Sequence, residues 1–249
     1  MQSVLSRGVL AAAALVEASV SLAFYFRPEV AFAILGRPLL DAVISRQYGL
    51  FLSSVALFYA LIATNPAKYR RFIWIGVIQR AVELVVASLD WRAAALSPHA
   101  FALVAAGEVA GGAALAFCAF GAEPAPKEAA PKKRADVWLV RALLAFGGLQ
   151  LFWTLLSTVA VQFGARLLGW KLQDAYTTQQ QGIALLVIGL TSVLAASDVK
   201  RYRLFVLVAV SSQAFGVINA INEYRLGTIP ATVAFIQWAI EASIIAVLL

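Results

Sequence analysis

The stretch Leu35-Gly36-Arg37-Pro38-Leu39-Leu40-Asp41-Ala42-Val43-Ile44-Ser45-Arg46-Gln47-Tyr48-Gly49 returns as Leu168-Gly169-Trp170-Lys171-Leu172-Gln173-Asp174-Ala175-Tyr176-Thr177-Thr178-Gln179-Gln180-Gln181-Gly182. The offset is 168 − 35 = 133 residues, and Leu, Gly, Leu, Asp, Ala, Gln and Gly coincide. The same offset sets Tyr69 on Tyr202, Phe72 on Phe205, Asp90 on Glu223, Arg92 on Arg225 and Glu108 on Glu241. One offset sustained along the chain is the mark of a duplicated unit, which decides the fold before any element is assigned.

The residues around these phrases say what the unit is. Hydrophobic residues make up 62% of the 249, and charged ones only 13%, against about 25% charged in a soluble domain. Eight apolar runs, near 8–26, 43–63, 72–89, 99–120, 137–161, 176–196, 204–221 and 229–249, approach the ~20 residues that a membrane helix needs. Their apolar residues do not alternate with polar ones, which speaks against a transmembrane barrel. The reading is an all-α integral membrane protein with eight transmembrane helices in two four-helix repeats, 1–120 and 137–249. The Pro-, Ala- and Lys-rich segment 121–136 joins them as a cytoplasmic linker. An even number of helices per repeat makes the repeats parallel, related by a pseudo-twofold along the membrane normal.

Basic residues set the orientation. Arg7, Lys68, Arg70, Arg71, Lys127, Lys132, Lys133, Arg134, Lys200, Arg201 and Arg203 belong in the cytoplasm, which places both termini there. Glu17 interrupts the first apolar run, so that run is read as a retained helix and not a cleaved signal. The net charge of +7 then points to anionic lipid headgroups as partners and not to nucleic acid. Cys118, Met1 and His99 are single, too few soft or imidazole ligands for a zinc, copper, iron–sulfur or bis-histidine haem site. No metal or cofactor is expected.

The informative residues are those that a bilayer disfavours. Glu17, Arg80, Glu83 and Glu108 fall at the middle of runs 1, 3, 3 and 4, where a charge costs about 2.5–3.5 kcal/mol and must turn inward. Arg80 and Glu83 share a helical face. Three carboxyls around one guanidinium leave excess negative charge, which a proton on at least one carboxyl would relieve unless Arg46 reaches down. These four are the candidate catalytic acid/base and charge-partner residues. Arg46, Gln47, Asp41, Gln150, Gln180, Gln213 and Glu241 are candidate ligand-binding residues, although Asp41 and Asp174 also sit where a helix N-cap is wanted. Ser97-Pro98 and Thr228-Ile229-Pro230 resemble helix starts in the same way. At the offset Glu17, Arg46, Arg80 and Glu83 become Gln150, Gln179, Gln213 and Gly216, so chemistry is expected in the first repeat. Gly107, Gly111 and Gly112 around Glu108 allow close approach of a neighbour.

Leu35-Gly36 through Asp41, Arg46, Gly49, Arg80, Asp90 and Glu108 resemble the pattern of an uncharacterised family of small four-helix bacterial integral membrane proteins, a domain of unknown function. The resemblance covers about residues 8–120 and implies a four-helix membrane fold, here in tandem, in a bacterial cytoplasmic membrane. It implies no reaction. The second repeat departs from it by losing both arginines.

The function expected from these residues is binding of a lipid or other lipophilic small molecule at the buried polar site, or service as an accessory subunit of a larger membrane complex. A metal-independent acid/base enzyme of isoprenoid or lipid isomerase or cyclase type is the alternative, since a protonated buried Glu can protonate an olefin. A small-solute or proton-coupled carrier comes next, although no run is broken by Gly or Pro in its middle.

Overall fold

The computed structural model describes residues 2–93, 95–121, 137–167 and 172–249, and every element within them is helical. In chain order these are α1 Gln2–Phe26, α2 Pro28–Ile34, α3 Ala42–Thr64, α4 Arg70–Arg92, α5 Pro98–Gly121, α6 Val137–Thr158, α7 Val161–Leu167, α8 Ala175–Ser197, α9 Val199–Tyr202, a 3₁₀ turn Arg203–Phe205, α10 Val206–Arg225 and α11 Ala231–Leu248. Among the described residues eight stretches are long and apolar enough to cross a bilayer: Val4–Phe26, α3, α4, α5, α6, α8, Val199–Arg225 and α11. The chain is an integral membrane protein. Of the linker, Gly121 ends α5 and 122–136 lie outside the described residues, as do 168–171 in the returning phrase.

Lipid tails are as apolar as leucine, so these helices are held by close packing and not by exclusion from water. α1 packs along α3, α6 along α8, α4 along α5 and α10 along α11. The closest approaches run over glycine. A Cβ at Gly49 would stand 2.8 Å from the Ser21 carbonyl oxygen and the Tyr25 nitrogen, and one at Gly147 would stand 2.9 Å from the Gly189 carbonyl oxygen. Between hairpins the packing crosses the middle of the chain: α3 lies against α8 and α10, and α4 against α8, while α3 and α4 scarcely meet. The main apolar core runs through both halves, with Val55, Phe58 and Ile73 continuous with Leu143, Ile188 and Val208, and a smaller cluster gathers Ala87, Leu96, Ala100 and Tyr176.

At the heart of that core Phe72 stacks on Phe205, centroids 3.7 Å apart and planes 14° from parallel. Tyr69 meets Phe205 edge-on at 5.0 Å, and Tyr202 meets Phe72 at 5.0 Å. Offset-stacked and edge-to-face pairs are the favourable aromatic arrangements.

Local signals place the helix ends. Asp41 Oδ1 accepts from the Val43 and Ile44 amides at 2.9 and 3.1 Å and so caps α3. Asp174 Oδ1 accepts from the Thr177 amide at 3.1 Å and caps α8. Ser97 Oγ accepts from the Ala100 amide at the start of α5. Gly36, at φ +63°, closes α2 with Gly36 N–H donating to Ala33 and Arg37 N–H to Phe32, the paired carbonyl capture of a left-handed C-cap. Two expectations need correction. Thr228 does not cap α11, whose N-cap is Pro230 without a side-chain bond; its hydroxyl is taken by Glu223 instead. The fifth apolar run is not one helix to 161 either. α6 stops at Thr158, and the chain folds back as α7 so closely that a Cβ at Gly164 would stand 3.0 Å from the Leu156 carbonyl oxygen. Hydropathy runs unbroken through that turn because both helices are apolar.

Candidate functional site

The four mid-span charges meet. Arg80, from the centre of α4, has one terminal nitrogen on Glu17 of α1 and the other 3.1 Å from Glu83 Oε2 and 3.2 and 3.4 Å from the two Glu108 oxygens of α5. Gln79 donates from Nε2 to Glu83 Oε1 at 3.0 Å and accepts from the Tyr59 hydroxyl at 3.0 Å. A chain of hydrogen bonds therefore runs Tyr59–Gln79–Glu83–Arg80 and divides to Glu17 and Glu108. Tyr59 comes from α3 and can pass α4 only because residue 76 is glycine: a Cβ there would lie 2.7 Å from the hydroxyl. The guanidinium carbon stands 6.0 Å from the Tyr59 ring centroid, at the limit of a cation–π contact.

The cluster is not equally closed on every side. The Glu17 and Glu83 side chains keep 6% and 9% of their exposure, whereas Arg80 and Glu108 keep 14% each. Gly111 and Gly112 lie under Arg80, 3.6 Å from its Nε and 3.5 Å from its Cβ as a Cβ would measure it. They therefore make room for the arginine and not for a neighbouring backbone. Gly107, one turn along the same face as Gly111, has nothing within 4 Å. Arg80 Nε is buried with no hydrogen-bond partner among the described residues.

The candidate ligand residues do not join this cluster. Arg46 reaches across the chain to Glu223 of α10, with Nε–Oε1 2.6 Å and a terminal nitrogen–Oε2 2.8 Å. Thr228 Oγ1 lies 2.5 Å from the same Oε2, and Glu223 is fully buried. Bidentate Arg–carboxylate pairing of this kind is the strongest ion-pair geometry available. At the positions matched by the 133-residue offset, Gln179 Oε1 and Asp90 Oδ2 are buried without a hydrogen-bond partner among the described residues. Gln47 is half-buried, and Gln150 and Gln180 are buried. Gln213 donates to Ser212 Oγ at 3.1 Å. Glu241 folds against Gly216, whose Cβ would stand 2.6 Å from Oε1, and its Oε2 finds no partner among the described residues. Asp41 lines a separate cleft of about 370 Å³ near the starts of α3 and α8, with Trp153, Ser157, Asp174, Thr178 and Gln181 on its wall. His99 is exposed at the start of α5.

Three participants escaped the sequence reading. Gln79 precedes Arg80 and stands four residues from Glu83, a spacing that could have revealed it. Tyr59 carried no signal, being one of 7 tyrosines, and the part of Glu223 depends on a helix 177 residues away. Comparison with protein-family models, curated proteins and solved structures finds no match.

Proposed function

We propose that this integral membrane protein binds a lipid or other lipophilic small molecule at the Arg80 cluster, entered from the membrane beside Gly107. The observation that carries this reading is the residual exposure of Arg80 and Glu108 at mid-span, 14% of each side chain, next to a glycine with open space around it. Charges held only for structure have every reason to be sealed, because contact with hydrocarbon costs several kcal/mol. The same surface would serve an accessory subunit whose partner helix lies over Gly107.

In this reading the chain is two like-oriented four-helix repeats, 1–120 and 137–249, about a pseudo-twofold along the membrane normal. What supports it is reciprocity: Phe72 stacks on its counterpart Phe205, and Tyr69–Phe205 mirrors Phe72–Tyr202 at the same 5.0 Å, the pattern of a self-complementary contact. Both termini face the cytoplasm of a bacterial cell, and the first half takes the four-helix arrangement of the family that it resembles. A cysteine placed at 92 or 225 should accept an impermeant maleimide from outside, and one at 70 or 201 should not; the opposite pattern would reverse the orientation.

A second reading has its own support. The unbroken chain from Tyr59 to Glu108 pairs each charged side chain, as a purely structural cluster would. Gly107→Leu separates the two, since it fills the open space without touching the ion pairs. Under the binding reading, lipid extracted from the purified variant loses a compound retained by wild type while Tm stays within about 2 °C. Identical extracts from both proteins would leave the structural reading standing.

A further inference from the structure

In the first half three rings fill the angle between α1, α2 and α3: Phe24 meets Phe32 at 5.7 Å and Tyr48 at 4.9 Å, both edge-on, and all three are buried. The 133-residue offset puts Ser157, Ala165 and Gln181 at those positions, on α6, α7 and α8. The helix pairs meet in the same register. A Cβ at Gly49 would stand 3.2 Å from the Phe24 carbonyl carbon, and one at Gly182 would stand 3.3 Å from that of Ser157. With the frame kept and the rings gone, space remains. It is the cleft of about 370 Å³ near the starts of α3 and α8, and Ser157, Ala165 and Gln181 all line it.

An apolar void stays empty, whereas one with polar walls takes up water or a ligand. These walls have turned polar, with Gln173 in place of Leu40 as well as Ser157 and Gln181 in place of rings. The Ser157 and Gln181 side chains make no hydrogen bond to another described residue. Charge decides what kind of ligand fits. Asp41 and Asp174 both line the cleft, and no Lys, Arg or His does among the described residues. The cations of the adjoining segments are engaged or point away: Arg46 is held by Glu223, Arg37 donates to the Ala95 carbonyl and lies over the Tyr176 ring, and Arg166 of α7 is exposed. Asp174 gives both oxygens to Thr177 and is buried, so it supplies field and not contact. Asp41 spends Oδ1 on the first amides of α3, and its Oδ2 accepts from no described residue. We infer that this cleft is a second binding site, for a small organic ammonium ion. Its N–H groups donate to Asp41 Oδ2 and to Ser157 or Gln181, while its alkyl part lies against Leu156 and Trp153, an indole that itself favours a cation. Two carboxylates without a facing cation repel an anion, and a neutral alcohol would leave their charge uncompensated.

The test uses the full chain in detergent, with Cys118→Ala and a reporter thiol from Ser157→Cys, a near-isosteric change. Methyl methanethiosulfonate labels the thiol, and the protectants are butylammonium and its uncharged counterpart butan-1-ol at constant ionic strength. Butylammonium should half-protect the thiol at about tenfold lower concentration than the alcohol, the ratio of one partly screened charge pair. Asp41→Asn keeps a capping oxygen for α3 but removes the charge, and it should bring the two protectants level. Asp41→Ser, another cap, serves should the asparagine variant not fold, and Ala165→Cys replaces the reporter should Ser157→Cys not fold. Equal protection by amine and alcohol, a preference that survives loss of the Asp41 charge, or a folded reporter that is not labelled overturns the proposal. Nanodiscs distinguish two sources of the ammonium. Labelling without added amine that is slower in phosphatidylethanolamine than in phosphatidylglycerol assigns it to a lipid headgroup, and equal labelling assigns it to a free amine. None of these outcomes bears on the Arg80 site, which shares no residue with the cleft.

Discussion

At the same point along their helices the two halves solve opposite problems. The first gathers Glu17, Glu83 and Glu108 around Arg80, whereas the second has Gln150, Gln213 and Gly216 and leaves Glu241 without a cation. The frame around them is alike. Asp41 and Asp174 cap α3 and α8, and Gly49 and Gly182 sit where α1 and α6 press closest. The contrast reverses at the helix ends: Arg46–Glu223–Thr228 is complete, but the matched Gln179 and Asp90 each keep one oxygen with no hydrogen-bond partner among the described residues. Helix packing in a membrane rests on small residues and shape, so the polar content of a bundle can diverge while its packing persists.

The largest expected effect breaks this comparison at its centre. Arg80→Ala strands the buried Glu17 and Glu83 and the half-buried Glu108 and should cost about 3–5 kcal/mol, read as the fall in Tm in one detergent. Gln213→Ala at the matched position loses one neutral hydrogen bond and should cost about 0.5–1 kcal/mol; similar losses would mean that the charges do nothing the amides do not. Phe72→Ala and Phe205→Ala, each a large-to-small change in the shared core, should cost about 3–5 kcal/mol apiece. Their double mutant should show a coupling of about 0.5–1.5 kcal/mol, whereas strict additivity would deny that the stacked pair joins the halves. Arg46→Gln makes the complete end resemble the incomplete one and should cost about 3 kcal/mol, since Glu223 is then buried unpaired. The smallest change has the opposite sign. Gln179→Arg copies Arg46 at the matched position, where Arg37 already supplies Asp90 with a positive charge, and should stabilise by only about 0.5 kcal/mol; a loss of stability there would show that the two ends are not interchangeable.

Much of this molecule is determined locally, and local features are legible along a chain. Runs of about 20 apolar residues place all eight spans, because length and hydropathy alone decide whether a helix can cross the bilayer. Asp41, Asp174 and Ser97 announce helix starts, because a short oxygen-bearing side chain reaches amides two or three residues on. Mid-span Glu17, Arg80, Glu83 and Glu108 had to turn inward toward one another, because the bilayer allows charged side chains no other inexpensive course. Only the tertiary structure decided the rest. It gave Arg46 to Glu223, 177 residues away, although the sequence left it free to descend toward the glutamates. It brought Tyr59 past Gly76 into the hydrogen-bond chain and took Thr228 away from α11. The reason is common to all three. Which partner a polar group finds depends on how helices distant in sequence lie against each other, and one side of a helix carries no record of its neighbour.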